Sequence, residues 1–432
     1  MSLVIIWQIA CACSLTPQKN WPHQIGVCRN KGLIGSEAIP GCNLSAIGKN
    51  LGGYMNSDRK GTFQDLNALF VFGACTVLAI HILGFFIANQ KDYPWNEDIE
   101  AVLLILLRFG RSLFIFATGM LLFYWHEDRQ MDWRAFWTKR WRVIVLPYVI
   151  WTAIFTGFKL QSIDPVELAY PFFHSLFTGS AFYHLYYIPL YLQLNLLFCL
   201  VKPWFEKYLS FRIVTLIFFG QMGLYVLYYC LFINPLWSID WSANSFLTLV
   251  QHTYIAGQNY VHMYLFTFSL GAYAGLNLEK WRTWTHKLRY LAHFLTLASG
   301  GWIMLNYLTG SKTYLESLNI FDPLYLVYTL SFLISFYSLS RYLGKLPAMA
   351  HWLSSLAKQN MAIYLVHPLI LFLLESYVIF RLDWSTPVLM IAMFVITPPL
   401  CIFLYKHTLV SYWTSRVSQK PKRVMQTETH KA

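Results

Sequence analysis

The chain has 432 residues, of which 56% are hydrophobic, 18% aromatic and only 12% charged, and its mean hydropathy is +0.43. A soluble globular protein carries about 25% charged residues, so a water-soluble fold is excluded, and the aromatic content excludes a chain too polar to order itself. What remains is an all-α polytopic membrane bundle, in which the formal net charge of +13 concerns orientation in the bilayer before it concerns nucleic acid.

Residues 1–54 read differently from the rest: Pro, Gly, Asn and four cysteines (Cys11, Cys13, Cys28, Cys42) crowd a segment without helical periodicity. Its apolar stretch from Leu3 to Cys13 is too short to span a bilayer and lacks the preceding basic residue of a secretory signal. Together with His23 these cysteines show no paired C-x2-C spacing, so no metal is expected. The composition break leads us to expect a native start at Met55. Cys75, Cys199, Cys230 and Cys401 lie in or at apolar segments, where cysteine packs as a small hydrophobe, and no disulfide framework is implied.

From residue 60 to residue 410 the hydropathy predicts about ten transmembrane helices, near 67–89, 101–125, 143–160, 184–201, 211–232, 260–277, 288–309, 321–340, 360–380 and 387–407. Each supplies the roughly 20 apolar residues that a helix rising about 1.5 Å per residue needs to cross about 30 Å of hydrocarbon. The Lys and Arg between them are segregated. One alternating set of connections holds Arg59 and Lys60; Arg129, Arg134, Lys139, Arg140 and Arg142; Lys202, Lys207 and Arg212; Lys280, Arg282, Lys287 and Arg289; Arg341, Lys345 and Lys358; and the basic tail that includes 411–432. The other set holds only Lys91, Lys312 and Arg381. Positive residues are retained on the cytoplasmic side, so both termini are expected there, in a multi-pass protein of the cell membrane whose basic charge is topological. No nucleic-acid partner is expected; the lipid bilayer is.

Ionisable groups inside spans cost roughly 2.5–3.5 kcal/mol each on insertion scales and mark function by default. His81 falls about 12 Å below the outer end of span 1, and Arg108 and Arg111 fall about 10–15 Å below the outer end of the antiparallel span 2, so the three side chains can meet. The spacing of Arg108-Phe109-Gly110-Arg111 puts both guanidinium groups on one face of a continuous helix, with a glycine that permits close approach of backbone or ligand. Such a pair can grip an anion, and a neutral imidazole can take a proton from a hydroxyl; buried ion pairing and a satisfied interior histidine are the competing readings. Glu375, about 8 Å below the outer end of span 9, is a candidate counterion for one arginine.

His184, in Tyr183-His184-Leu185-Tyr186-Tyr187, opens span 4 at the outer mouth, with Gln193 and Asn195 deeper; either these residues contact a sugar or the aromatics form an interfacial belt. His367 in Tyr364-Leu365-Val366-His367-Pro368 lies about 10 Å from the cytoplasmic end of span 9, where it either approaches a cytoplasmic donor or bonds a carbonyl freed by Pro368. Gly271 and Gly275 form a small-xxx-small pair suited to close helix packing.

His81, the Arg108/Arg111 pair, Phe114-Ile115-Phe116-Ala117-Thr118-Gly119, Lys139-Arg140-Trp141-Arg142-Val143-Ile144-Val145-Leu146-Pro147-Tyr148 and Tyr364 to Pro368 occur in the order seen in the acyltransferase family 3 membrane proteins. Over roughly residues 60–410 the chain resembles that family, and the stretches around Phe109-Gly110, Gly271 to Gly275 and Tyr364 to Leu371 look most like its intercellular-adhesin branch, which serves poly-N-acetylglucosamine synthesis or export. The resemblance implies transfer of an acyl group, usually acetyl, from cytoplasmic acyl-CoA as co-substrate to a hydroxyl of a cell-surface glycan, with no bound cofactor. His81 resembles the family's essential histidine and Arg108 and Arg111 its paired arginines. The chain departs at Phe70, where many members have an Arg eleven residues before the histidine, and at Ala117-Thr118-Gly119, where Ser-Gly-Phe is common. His81 as base, an arginine opposite the oxyanion, and Lys139, Arg140 and Arg142 on the CoA phosphates form the implied mechanism. The rival class is an exporter of the polysaccharide or its precursor, and a third is a structural partner in a glycan synthase complex.

Overall fold

A computed structural model of the chain describes residues 44–90, 92–162, 164–233 and 259–407, and every regular element among them is helical. The first part of the atypical N-terminal segment and the tail 411–432 lie outside the described residues. The helix of the first span, α1 (Leu44–Ala88), starts well before that span, so residues 44–54 are helical despite their composition.

The following helices are α2 (Glu97–Leu107), α3 (Gly110–His126), α4 (Trp133–Arg140), α5 (Leu146–Leu160), α6 (Pro165–Thr178), α7 (Tyr187–Tyr208) and α8 (Phe211–Tyr228). Beyond residue 259 come α9 (Leu265–Leu276), α10 (Leu278–Leu308), the short α11 (Tyr314–Ser317), α12 (Pro323–Gly344), α13 (Pro347–Tyr377) and α14 (Thr386–Lys406). Several starts are written plainly in the chain. Asn96 and Asp132 accept the N–H groups of Ile99 and Ala135, and Asp164 and Asp322 do the same ahead of Pro165 and Pro323, so each spares an orphaned donor of the first turn.

Among the described residues, seven helices or helix runs are long and apolar enough to cross a membrane, or eight if the halves of α13, bent by 71° between Asn360 and Ala362, make one span. About ten were expected. Of the two remaining stretches, 260–277 yields α9, whose 12 residues are too few to cross alone. The other, 288–309, lies in α10, which begins with Lys280, Arg282, Lys287 and Arg289 and whose apolar part is diluted by His293, Gly300, Gly301 and Asn306.

Helix α9 is buried from Phe266 to Gly275 and lies against α3 at backbone distance. A Cβ on Gly271 would stand 2.0 Å from the Phe116 carbonyl oxygen and one on Gly275 2.4 Å from that of Met120, so the small-xxx-small pair serves close helix packing, as its spacing implies. The α1–α3 contact is equally tight: a Cβ on Gly110 would stand 2.3 Å from Thr76 Oγ1, and one on Gly73 2.5 Å from the ring of Phe114. These contacts fix α1, which carries His81, against the start of α3, which carries Arg111.

At the end of the bundle where α1 enters its apolar stretch, Asp65 is buried and shared. Arg282 Nη2 lies 3.4 Å and Arg341 Nε 3.9 Å from its Oδ2, and Tyr337 donates to the same oxygen at 3.5 Å.

Candidate functional site

The second span is not continuous. Helix α2 stops at Leu107, Arg108 and Phe109 form a turn, and α3 begins at Gly110, so the carbonyls of Ile105 and Leu106 lose their i+4 partners. Two tyrosines one turn apart on α12 replace them: Tyr325 donates to the Ile105 oxygen at 3.0 Å and Tyr328 to the Leu106 oxygen at 3.2 Å. Non-helical backbone at membrane depth is tolerated only where protein or a cavity satisfies it, and here both conditions hold.

The break opens onto a cavity of about 520 Å³ whose wall includes His81, Gly84 and Asn89 of α1 and its exit, Arg108, Arg111, Phe114, Tyr183, His184, Tyr186, Tyr314, Tyr364 and Glu375. Arg111 Nη1 donates to Tyr264 Oη at 2.7 Å and its guanidinium lies 4.8 Å from the centre of the Tyr186 ring. Arg108 Nε is buried without a protein acceptor among the described residues. Glu375 faces the same cavity but forms no ion pair with either arginine among the described residues, so the expected counterion role is corrected: phenol groups, not a carboxylate, sit on Arg111. Cations without a carboxylate partner keep most of their charge available for a ligand.

His81 lies with its ring centre 4.4 Å from that of Tyr183 and 5.3 Å from that of His367, and His184 is 5.2 Å from His367. The third imidazole is fixed by Pro368. With no N–H, the proline leaves the Tyr364 carbonyl unbonded within the helix, and His367 Nδ1 supplies the donor at 2.7 Å, reaching Ile363 O at 3.0 Å as well. Carbonyls only accept, so Nδ1 carries the proton and Nε2, buried without a protein partner among the described residues, is left with its lone pair. Of the two roles expected for this histidine, the structure shows the bond to a carbonyl freed by Pro368, and it places the ring, 2% exposed, beside His81.

His184 is not at an open mouth. It is only 3% exposed, its ring is edge-on to Tyr364 at 4.9 Å, and both its nitrogens lack protein partners among the described residues, while its carbonyl accepts from Tyr364 Oη at 2.7 Å. The turn that carries it depends on Gly179 (φ +73°), which ends α6 in the left-handed region and where a Cβ would stand 2.2 Å from Tyr186 Cα; only glycine fits there. Gln193 is removed from the cavity: it donates to Asn259 O at 2.9 Å and accepts from Val261 N at 3.1 Å, holding α7 to the approach of α9.

The basic stretch divides. Arg140 is buried, bonded through Nε to Asn195 Oδ1 at 2.6 Å and stacked 3.1 Å from the centre of the Phe136 ring, so its charge is engaged inside the fold. Lys139 is half-buried and Arg142 exposed. Phe70, where the resemblance led us to look for an arginine, is fully buried and stacked on Phe114 at 6.5 Å. Among the described residues no group of three or more His, Cys, Asp or Glu is arranged to hold a metal ion.

Sequence reasoning missed the aromatic partners Tyr264, Tyr325 and Tyr328, which come from segments remote in the chain and carry no spacing signal relative to Arg108 or Arg111. No curated protein and no solved structure matches this chain. A family model described as an acyltransferase domain matches residues 63–406, which covers the cavity and every helix that lines it. The chain thus belongs to the acyltransferase family 3 membrane proteins.

Proposed function

We propose that the protein moves an acyl group from cytoplasmic acyl-CoA to a hydroxyl of a cell-surface polysaccharide, poly-N-acetylglucosamine in type, and that the acyl group is acetyl. The observation that carries this reading is the meeting of His81 with Arg108 and Arg111 in one cavity of about 520 Å³, with no carboxylate paired to either arginine among the described residues. Segregation of Lys and Arg orients the end of the bundle near Asn89 and Tyr314 outward and the Asp65 end toward the cytoplasm. Tyr183, Tyr186 and Tyr314 offer faces on which a sugar ring can stack, and His184 and Glu375 offer groups for its hydroxyls. Arg142, exposed on the basic stretch, is a candidate for the CoA phosphates, with Lys139 three residues before it.

In this mechanism neutral His81 takes the proton of the acceptor hydroxyl as its oxygen bonds to the thioester carbonyl. Arg108 or Arg111 stabilises the negative charge that develops on the carbonyl oxygen. The carbon–sulfur bond then breaks, the thiolate leaves as CoA and takes the proton from His81, and the glycan keeps the ester. A break in the helix beside the arginines lets them face inward without a helical neighbour above them.

Labelled acetyl-CoA supplied to membranes together with the glycan tests the proposal. Label should enter the glycan with the wild-type chain and not with His81→Ala, at equal amounts of membrane-inserted protein. Glycan ester content unchanged by loss of the gene, with export lost, would overturn it in favour of an exporter.

A further inference from the structure

Beneath the large cavity, on its Asp65 side, lies a second space of about 20 Å³ that shares Val77, Phe114 and Tyr364 with it. Its other walls include Ala74, Leu78 and Ile363. Of the polar groups that reach it, Asn360 Nδ2 donates to the Phe70 carbonyl at 3.2 Å and Tyr364 Oη to that of His184 at 2.7 Å, while His367 Nε2 has no protein partner among the described residues. About 10–15 Å³ on this measure admits one water-sized group, so the space holds a methyl group and not a chain.

Its position relative to His81 follows from the helix. Val77 and Ala74 lie four and seven residues before His81, on the same face and about 6 Å and 10 Å along the axis. Side chains on a helix lean toward its N-terminus, so the imidazole tilts toward this space. His367, whose ring centre is 5.3 Å from that of His81, lines it directly. The far wall is rigid. The Phe114 ring is 1% exposed, backed by Phe70 and seated where a Cβ on Gly73 would stand 2.5 Å from Phe114 Cζ.

We propose that this space is the binding subsite for the alkyl end of the transferred acyl group, and that Phe114 and Ala74 limit that group to acetyl, excluding longer and carboxylate-bearing chains. The proposal rests on the acyl-transfer reading above and names the residues that set its donor. A methyl group enters a pocket of its own size, whereas a longer or carboxylate-bearing chain exceeds it. Each carbon beyond what a hydrophobic pocket holds costs about tenfold or more in kcat/KM.

The test is a chain-length series: acetyl-, propionyl-, butyryl- and succinyl-CoA with the purified full-length protein and an N-acetylglucosamine oligosaccharide. Transfer to sugar is read by mass spectrometry and CoA release by chromatography, with water as the alternative acceptor. Acetyl should exceed butyryl and succinyl at least tenfold. Phe114→Val should raise the butyryl-to-acetyl ratio at least tenfold, and Ala74→Val, which fills the space instead of enlarging it, should lower acetyl transfer at least tenfold. A wild-type profile flat across the series, or the same profile in Ala74→Val and Phe114→Val, overturns the subsite and leaves acyl transfer standing. No CoA release from any donor by folded wild-type protein overturns both.

Discussion

Two buried groups of charges in the same bundle are treated in opposite ways. At the Asp65 end, Arg282 and Arg341 converge on one carboxylate, Arg140 bonds Asn195, and Lys202 pairs with Glu206 at 2.6 Å. In the cavity and the space beside it, Arg111 has a phenol, Arg108 Nε has no partner among the described residues, and His184 and His367 present nitrogens without protein partners among them. A buried ion pair closes its own account of charge, and replacing it by apolar groups is often neutral. Buried donors and acceptors left open cost about 1–3 kcal/mol each, a cost that a fold retains where a ligand offsets it. The difference separates charges that hold the bundle together from charges arranged for something that enters it.

The comparison breaks most readily at His81. His81→Ala should lower acyl transfer by about 10²–10⁴-fold, the usual contribution of a positioned base, while the thermal midpoint in detergent stays within about 2 °C of wild type. A large fall in midpoint with transfer intact would move His81 to the structural group. Next comes Arg108→Gln, which keeps a donor but removes the charge: transfer should fall by about 10²–10³-fold, as when an oxyanion donor is lost, again with little change in melting. If Arg108→Gln melted early, its guanidinium would be bracing the helix break and not awaiting a ligand.

The stability arm belongs to the other end. Arg282→Met should cost about 3 kcal/mol, the low end of the range for stripping one partner from a buried pair, because Arg341 and Tyr337 still face Asp65. Equilibrium unfolding in mixed micelles would read it. Asp65→Asn introduced with Arg282→Met should restore part of the loss, since it removes the charge left uncompensated. Turnover per folded molecule should be unchanged in both variants; a hundredfold loss of turnover would erase the distinction between the two groups.

Counting depth along antiparallel spans was enough to bring His81, Arg108, Arg111 and Glu375 to one level, and all four line one cavity. Depth is a one-dimensional quantity that a helix rise supplies. What it cannot supply is rotation and neighbourhood. Glu375 shares the level of the arginines yet pairs with neither among the described residues, and the neighbourhood of His367 with His81 has no signal in its own span. The contact of Tyr364 with His184 joins residues 180 apart in the chain, and no periodicity in either segment announces it. The span count is subject to a related ambiguity: hydropathy registers an apolar run, whereas α9 is apolar and enclosed by other helices, with Phe266 to Gly275 all buried.

The least visible feature, the interruption at Arg108-Phe109, has no proline to mark it. Gly110 alone is a weak signal, and it is explained by the approach to Thr76. The break persists because Tyr325 and Tyr328 take over the two freed carbonyls, so it belongs to α12 as much as to its own sequence. Tyr325→Phe should therefore cost about 1 kcal/mol, the scale of one hydrogen bond within a membrane bundle, a small loss in the melting curve. Its effect on transfer should be larger in proportion, about tenfold or less and confined to kcat, because the arginines shift while the acceptor's own contacts persist. Loss of stability with kcat unchanged would show that the interrupted helix holds its shape without the tyrosine, and that the cavity's arginines owe their placement to α1 and α9 alone.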